Sequence, residues 1–293
     1  MSNPLLIEEI PRTVGGCLSL IKRCFSNSGL QELGDPRFFL CGITGLSSSR
    51  VVSDPSAILE GKHRLSLKEA IIRRLNREPI HRILGWCDFY NVRLSLSSDT
   101  FEPRPETEIL VDAILSHFLL CSKKKKTARI LDLGTGTGAV CLSLLKSNSS
   151  FSGIGVDLCH NAIKIAQKNA RDNGLSERFE AFQSDWFASV EGVFDIIVSN
   201  PPYISSAEIG RLEPEVKNFD PHIALDGGED GLSHYRFIAD GISRHLKSDG
   251  FCGVEIGYDQ KTDVIHIFEE KQLFLVNFLK DCGGNDRILL FCR

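Results

Sequence analysis

From residue 129 to residue 292, short apolar runs alternate with stretches of helical period, and this constrains the fold more than any other feature. Residues 129–133, 153–157, Phe179–Gln183, Phe194–Ser199 and 250–256 read as strands. Residues 139–145, 162–173 and 231–246 read as helices between them, the second closed by Gly174 in a C-cap position, and a further helix follows residue 256. Strands separated by helices return in the same direction, which gives a parallel sheet with helices on both faces. Residues 274–279 and 287–292 are joined by a short loop, so they form an antiparallel pair at one edge. The expected fold is α/β: a doubly wound, mostly parallel, seven-stranded, Rossmann-like sheet.

The N-terminal stretch differs in kind. Ile7, Ile10, Val14, Cys17, Leu18 and Ile21 recur at helical spacing, as do Leu65, Leu67, Ala70, Ile71 and Leu75. Asp35-Pro36 and Asp54-Pro55 each mark a turn or a helix start. Ser66 with Glu69 reads as a capping box opening a helix that runs to Leu75, and Pro79 ends it. Residues 1–83 are therefore expected to be a small all-helical domain. Residues 84–100 shift to period two around Asn91 and read as a β-hairpin linker, leaving 101–293 as the sheet domain. In that domain Pro105 suits a first helical position, with Glu106 and Glu108 at the positive end of the dipole.

Composition narrows the function classes. With 42% hydrophobic residues a sizeable core is available, and no apolar run approaches the roughly 20 residues of a membrane helix. The N-terminus lacks the basic and apolar regions of a signal peptide. Ten cysteines are scattered without a Cys-x-x-Cys pair or metal-ligand spacing, which suits reduced thiols, a cytoplasmic location and no metal. The net charge of −4 hides an asymmetry. Residues 62–82 carry seven Lys/Arg against Glu69 and Glu78, whereas residues 180–240 carry twelve Asp/Glu against Arg211, Lys217 and Arg236. The acidic half would repel a phosphate backbone, so DNA is not the expected partner. The lysine run from Lys123 to Lys126 reads as a solvated loop.

Ligands of open α/β sheets bind outside the carboxyl ends of the strands. Four successive strands end there in unusual residues: Gly134-Thr135-Gly136-Thr137-Gly138, Asp157, Asp185-Trp186, and Asn200-Pro201-Pro202-Tyr203. The glycines let backbone approach a ligand before a helix N-terminus. Asp157 ends the strand after the glycine loop, at the spacing that lets a carboxylate accept from two ribose hydroxyls. Loop and acid alone fit NAD as well as S-adenosylmethionine. Asp185 as an acceptor for an adenine amino group, Trp186 as a ring face, and the absence of Lys or Arg from the loop favour S-adenosylmethionine.

The last of the four is the most specific. Two prolines lack N–H groups and cannot continue a ladder, so the chain leaves the sheet at Asn200. An asparagine oxygen beside the Pro201 carbonyl offers two acceptors, followed by the ring of Tyr203. That set suits a planar NH2 group, whether an adenine or a carboxamide. The sparsely apolar stretch from Ser205 to Asp230 is long enough to cover such a site.

Asp132-Leu-Gly-Thr-Gly-Thr-Gly138, Asp157 and Asn200-Pro-Pro-Tyr203 resemble the class I S-adenosylmethionine-dependent methyltransferases that act on planar NH2 nitrogens. Arg77-Glu-Pro-Ile, Pro103-Arg-Pro-Glu-Thr-Glu108, Ser184-Asp-Trp-Phe187 and Gly227-Gly-Glu-Asp-Gly-Leu232 are similar, more narrowly, to the HemK/PrmC family. The resemblance implies methylation, from S-adenosyl-L-methionine, of the glutamine amide nitrogen in the Gly-Gly-Gln motif of class I peptide-chain release factors. It implies cofactor contacts at Gly134 to Gly138, Asp157, Trp186 and Asn200, and substrate contacts at Asn200, Pro201, Pro202 and Tyr203. Asn200, Pro201 and Tyr203 would act in catalysis, in a monomer without DNA or membrane.

Overall fold

The computed structural model describes residues 9–30, 34–121 and 126–293. Ile7 and most of the lysine run, Lys123 to Lys125, lie outside those residues. The chain forms two compact units, Met1–Gly85 and Trp86–Arg293.

The first unit is helical, with α1 (Val14–Asn27), α2 (Pro36–Thr44), α3 (Ser48–Ser53), α4 (Gly61–Leu75) and α5 (Ile80–Leu84). Thr13 and Asp35 cap α1 and α2 by accepting from Gly16 and Arg37 N–H groups, whereas Asp54 closes α3. Ser66 does not open a helix. It lies inside α4, which starts earlier, at Gly61 after Glu60. Periodicity starts at Leu65 because the first turn of α4 is polar, so the apolar pattern hides the true start. Cys17, Ile21, Phe25, Phe39, Leu40, Leu67 and Ile71 form this unit's core.

The second unit opens with the hairpin β1 (Trp86–Phe89) and β2 (Val92–Ser95), paired from Trp86↔Ser95 to Phe89↔Val92. The hairpin packs with this unit. Cys87, Phe89, Val92 and Leu94 alternate inward into the sheet unit's core. A single-turn 3-10 segment at Pro105–Thr107 leads into α6 (Glu108–Cys121). The sheet and its helices follow: β3 (Ala128–Leu133), α7 (Ala139–Ser147), β4 (Phe151–Asp157), α8 (His160–Asp172), β5 (Phe179–Gln183) and β6 (Phe194–Ser199). The stretch after β6 contains α9 (Ser206–Ile209), α10 (Pro214–Lys217) and a 3-10 turn at His222–Ala224. Then come α11 (Ser233–His245), β7 (Leu246–Glu255), α12 (Lys261–Glu269), β8 (Phe274–Lys280) and β9 (Asp286–Cys292).

The sheet order is β5-β4-β3-β6-β7-β9-β8, parallel from β5 through β7, with β9 antiparallel to both β7 and β8. Two cores cover its faces. Leu110, Ile114, Ile130, Val198 and Leu290 belong to one, and Leu131, Ile197, Tyr235, Val254 and Phe291 to the other. All six residues of β6 are buried, as a central parallel strand covered on both faces requires. Leu133↔Ser199 is the last pair of the β3–β6 ladder, so β3 and β6 release their chains side by side.

Candidate active site

The glycine turn after β3 is built on positive φ. Gly134, Gly136 and Gly138 take 71°, 54° and 84°, values a side chain would strain. Gly134 and Thr135 donate their N–H groups to the Val156 carbonyl at 2.9 Å each, and Gly138 donates to Thr135 O at 2.8 Å. Asp132 is buried beneath the turn. Burial pushes its carboxyl up to about 7, against the Thr135 hydroxyl (2.8 Å) and the Cys141 N–H that donate to it. Asp157 ends β4 facing the turn. It accepts from Gly136 N–H at 2.9 Å and Cys159 N–H at 2.8 Å, and burial raises its pKa over the opposing pull of those donors. Each carboxylate oxygen keeps a second lone pair for a ligand.

Asn200 leaves the next strand at the same height. Its Nδ2 donates to the Thr107 hydroxyl at 3.1 Å, which leaves Oδ1 without a donor among the described residues. No described donor reaches the Pro201 carbonyl either. The two acceptors expected at the tetrapeptide are therefore both open. Tyr203 is held at both ends. Its carbonyl accepts from Gln260 Nε2 at 2.9 Å, and its hydroxyl donates to Glu255 Oε1 at 3.4 Å. Burial and the Glu255 carboxyl raise the phenol's pKa, so it stays protonated. The chain beyond Tyr203 is tied back by Ile204 N–H to Leu225 O (3.1 Å) and Gly227 N–H to Ile204 O (2.7 Å). That tie closes the base of the 205–230 excursion and brings Ile223, Ala224 and Leu225 into the wall.

One cavity of about 530 Å³ is lined by Gly134, Thr135, Gly136, Thr137, Asp157, Asp185, Trp186, Asn200, Pro201, Pro202 and Tyr203. Of the residues expected there, Gly138 alone is not in the wall. It caps α7, and a Cβ on it would meet Leu142 Cδ1 at 2.9 Å. The Trp186 ring reaches the glycine turn, its Cζ3 lying 3.9 Å from where a Gly134 Cβ would be. It also tilts against the His234 ring at 5.2 Å, with its own backbone at φ 47°.

Other members were not anticipated. Phe101, Thr107, Ile223, Leu225, His234 and Phe237 line the same cavity. Glu255 sits behind it, 2% exposed. Burial pushes its carboxyl up to about 7, while the nearby Thr107 side chain, the Arg287 charge and the Tyr203 hydroxyl act the other way. A lone acid in the apolar run of β7 was the available signal, since such a group is retained only with partners. Thr107 was masked by the helix-start pattern around Pro105.

The site is large enough for a nucleoside-sized ligand, and its acceptors sit where one would need them. Residues 20–85 match the model of the PrmC N-terminal domain, and residues 108–212 that of the Methyltransferase small domain. The release factor glutamine methyltransferase of Agrobacterium fabrum is 46% identical over 282 residues, 96% of this chain and 98% of that protein. That of Rhodospirillum rubrum is 42% identical over 259 residues, 88% of this chain and 78% of that protein. Among solved structures, the hMettl16 catalytic domain in complex with an MAT2A 3′UTR hairpin superposes with a TM-score of 0.53 at 13% identity. The match covers 80% of this chain and 82% of that one, and it is a likeness of fold.

Proposed function

We infer the reaction from one premise: the chain belongs to the family of release factor glutamine methyltransferases. It transfers a methyl group from S-adenosyl-L-methionine to the side-chain amide nitrogen of the glutamine in the Gly-Gly-Gln motif of class I peptide-chain release factors. The observation that supports this best is the last rung of the β3–β6 ladder. It sets the glycine turn and the two open acceptors of Asn200 and Pro201 at one cavity wall.

The residues present fit the methyl donor. The turn at Gly134 to Gly138 would take its amino-acid end, Asp157 its ribose hydroxyls, and Asp185 with Trp186 its adenine. When bound, it supplies an electrophilic sulfonium methyl, whose C–S bond breaks as the N–C bond forms, leaving S-adenosyl-L-homocysteine. The chain must do the rest. A glutamine nitrogen attacks poorly because its lone pair is delocalised into the carbonyl. Asn200 Oδ1 and the Pro201 carbonyl accept its two N–H bonds and turn the lone pair out of the amide plane toward the methyl. Tyr203 and Pro202 confine the carboxamide face. Positioning of this kind supplies much of the rate. As the nitrogen becomes cationic, the same acceptors bind it more strongly than in the ground state. The extra proton then leaves to water, and no general base is needed before transfer.

The same reading places the protein in the cytoplasm, acting as a monomer on a protein rather than on DNA. The ten free thiols suit a reducing compartment. Among the described residues, no helix is long and apolar enough to cross a membrane. The test supplies labelled S-adenosylmethionine with a release factor, with the same factor whose Gly-Gly-Gln glutamine is replaced, and with duplex DNA. Label is expected in the first alone. Label in the second or third would overturn the assignment.

A further inference from the structure

Two separate stretches of the cavity wall are joined by an ion pair. Phe101 and Pro103 supply one stretch, and Ile223, Ala224 and Leu225 the other. Arg104 Nη2 donates to Asp220 Oδ2 at 2.5 Å, and Glu102 N–H donates to Asp220 Oδ1 at 3.4 Å. The Asp220 side chain is 3% exposed, and a carboxylate that deep is retained only with donors on it. Its anchor is stiff. Arg104 lies extended between Pro103 and Pro105, at φ −94° and ψ 149°, and its guanidinium sits 4.9 Å from the centre of the Phe101 ring. The stretch that Asp220 leads into has little else to hold it. Among the described residues, none of α10 or of the 3-10 turn at His222–Ala224 is buried. Buried Asp220 pins this strap at one end, and at the other buried Leu225 accepts from Ile204 N–H at 3.1 Å, directly after the tetrapeptide.

We propose that Asp220 and Arg104 are positioning residues for the methyl acceptor: their ion pair latches the 221–225 strap to the 101–104 stretch, so that the glutamine enters a wall already formed. The inference rests on the reading of the tetrapeptide given above and deepens it. The acceptor rather than the cofactor is the ligand concerned. The strap is tied to Ile204, and none of the hydrogen bonds of residues 221–225 among the described residues goes to the glycine turn, Asp157 or Asp185. Ile223 lines the cavity and is still 56% exposed, so it stands at the mouth, where an incoming protein chain passes. Without the latch, the acceptor would have to order the strap as it binds, and that cost appears as lost affinity. A carboxylate suits the position because donors face both of its oxygens, whereas an asparagine would turn its NH2 group toward one of them.

The test compares the full chain with Asp220→Asn, Arg104→Gln and the double variant. KM and kcat are measured on a release factor at saturating S-adenosylmethionine, and cofactor affinity by calorimetry. In each single variant the KM for the release factor should rise at least fivefold, with most of the loss in KM rather than kcat and cofactor affinity within twofold. The double variant should lose no more than the worse single one, because both changes open the same latch. An unchanged KM, a loss confined to kcat, or losses that multiply in the double variant would overturn the proposal. If Asp220→Asn lacks a cooperative melt, Arg104→Gln carries the same outcomes from a partly exposed position. A readout independent of activity is amide hydrogen exchange. Ala224 N–H donates to Pro221 O at 2.9 Å and Leu225 N–H to His222 O at 3.0 Å. Both amides should exchange at least tenfold faster in the single variants, while those of β3 and β6 keep their rates. No change at Ala224 and Leu225, or an equal rise throughout the sheet, would also overturn the proposal. Failure of the unaltered protein to methylate the release factor would break the functional reading alone, and the exchange rates would still decide the latch.

Discussion

Replacing Glu255 by glutamine should change how stability depends on pH. Glu255 is 2% exposed, and burial pushes its carboxyl from 4.5 up to about 7. That is roughly 2.5 powers of ten in proton affinity, or about 3 kcal/mol. The sign follows from the direction. A carboxyl whose folded pKa is raised binds its proton more tightly in the native state. Its contribution is fully present below pH 4.5 and is lost as pH rises to about 7, because ionisation then occurs inside the protein. The groups facing it are Arg287 from β9, Glu106 from the turn before α6, and Tyr203 and Tyr235. Asp132 is raised to about 7 as well and titrates in the same window, so the informative quantity is the difference between the two proteins. Both tryptophans, Trp86 and Trp186, lie in the sheet unit, so their fluorescence in a urea titration reports that unit alone. Between pH 8 and pH 4.5 the unaltered protein should gain about 3 kcal/mol relative to Glu255→Gln. A difference that stays flat across that range would refute the burial argument.

Other consequences concern the frame around the site. Asn169 is fully buried; it accepts from Ser95 N–H at 2.8 Å and donates to Ser95 O and Thr137 O. Asn169→Ala should cost about 2–4 kcal/mol in the same urea titration by orphaning groups on the hairpin and the glycine turn. A Cβ on Gly227 would meet Tyr203 C and Cα at 2.8 Å and Gly231 Cα at 2.9 Å, all backbone. Gly227→Ala should therefore displace the tetrapeptide and lower turnover by about tenfold or more, measured under saturating cofactor. Asp157→Ala should weaken cofactor binding by roughly ten- to a hundredfold in calorimetry, through loss of charged hydrogen bonds, with the acceptor's KM little changed.

Much of this was legible in the sequence because parallel strands buried on both faces leave a strong trace. Phe179–Gln183 and Phe194–Ser199 have the bounds their composition suggests. The line of special residues at one sheet edge needed only the alternation of strands and helices. Helix starts were less legible. The polar first turn of α4 carries no periodicity, so Ser66 competed with the true start at Gly61. The order of the last two strands was also hidden, since a short loop between β8 and β9 does not say that β9 inserts beside β7. Within the site, side chains that touch the reaction were visible through their unusual types. Thr107 and Glu255 were not, because the hydrogen bonds that join them to Asn200 and Tyr203 connect elements far apart along the chain.

The account depends on two acceptors, Asn200 Oδ1 and the Pro201 carbonyl, holding a glutamine amide against the methyl donor. The most direct measurement is single-turnover methyl transfer by Asn200→Ala, with S-adenosylmethionine affinity measured on the same protein. The account predicts a loss of rate of at least about 10², with cofactor affinity falling far less. Transfer at close to the unaltered rate would contradict it.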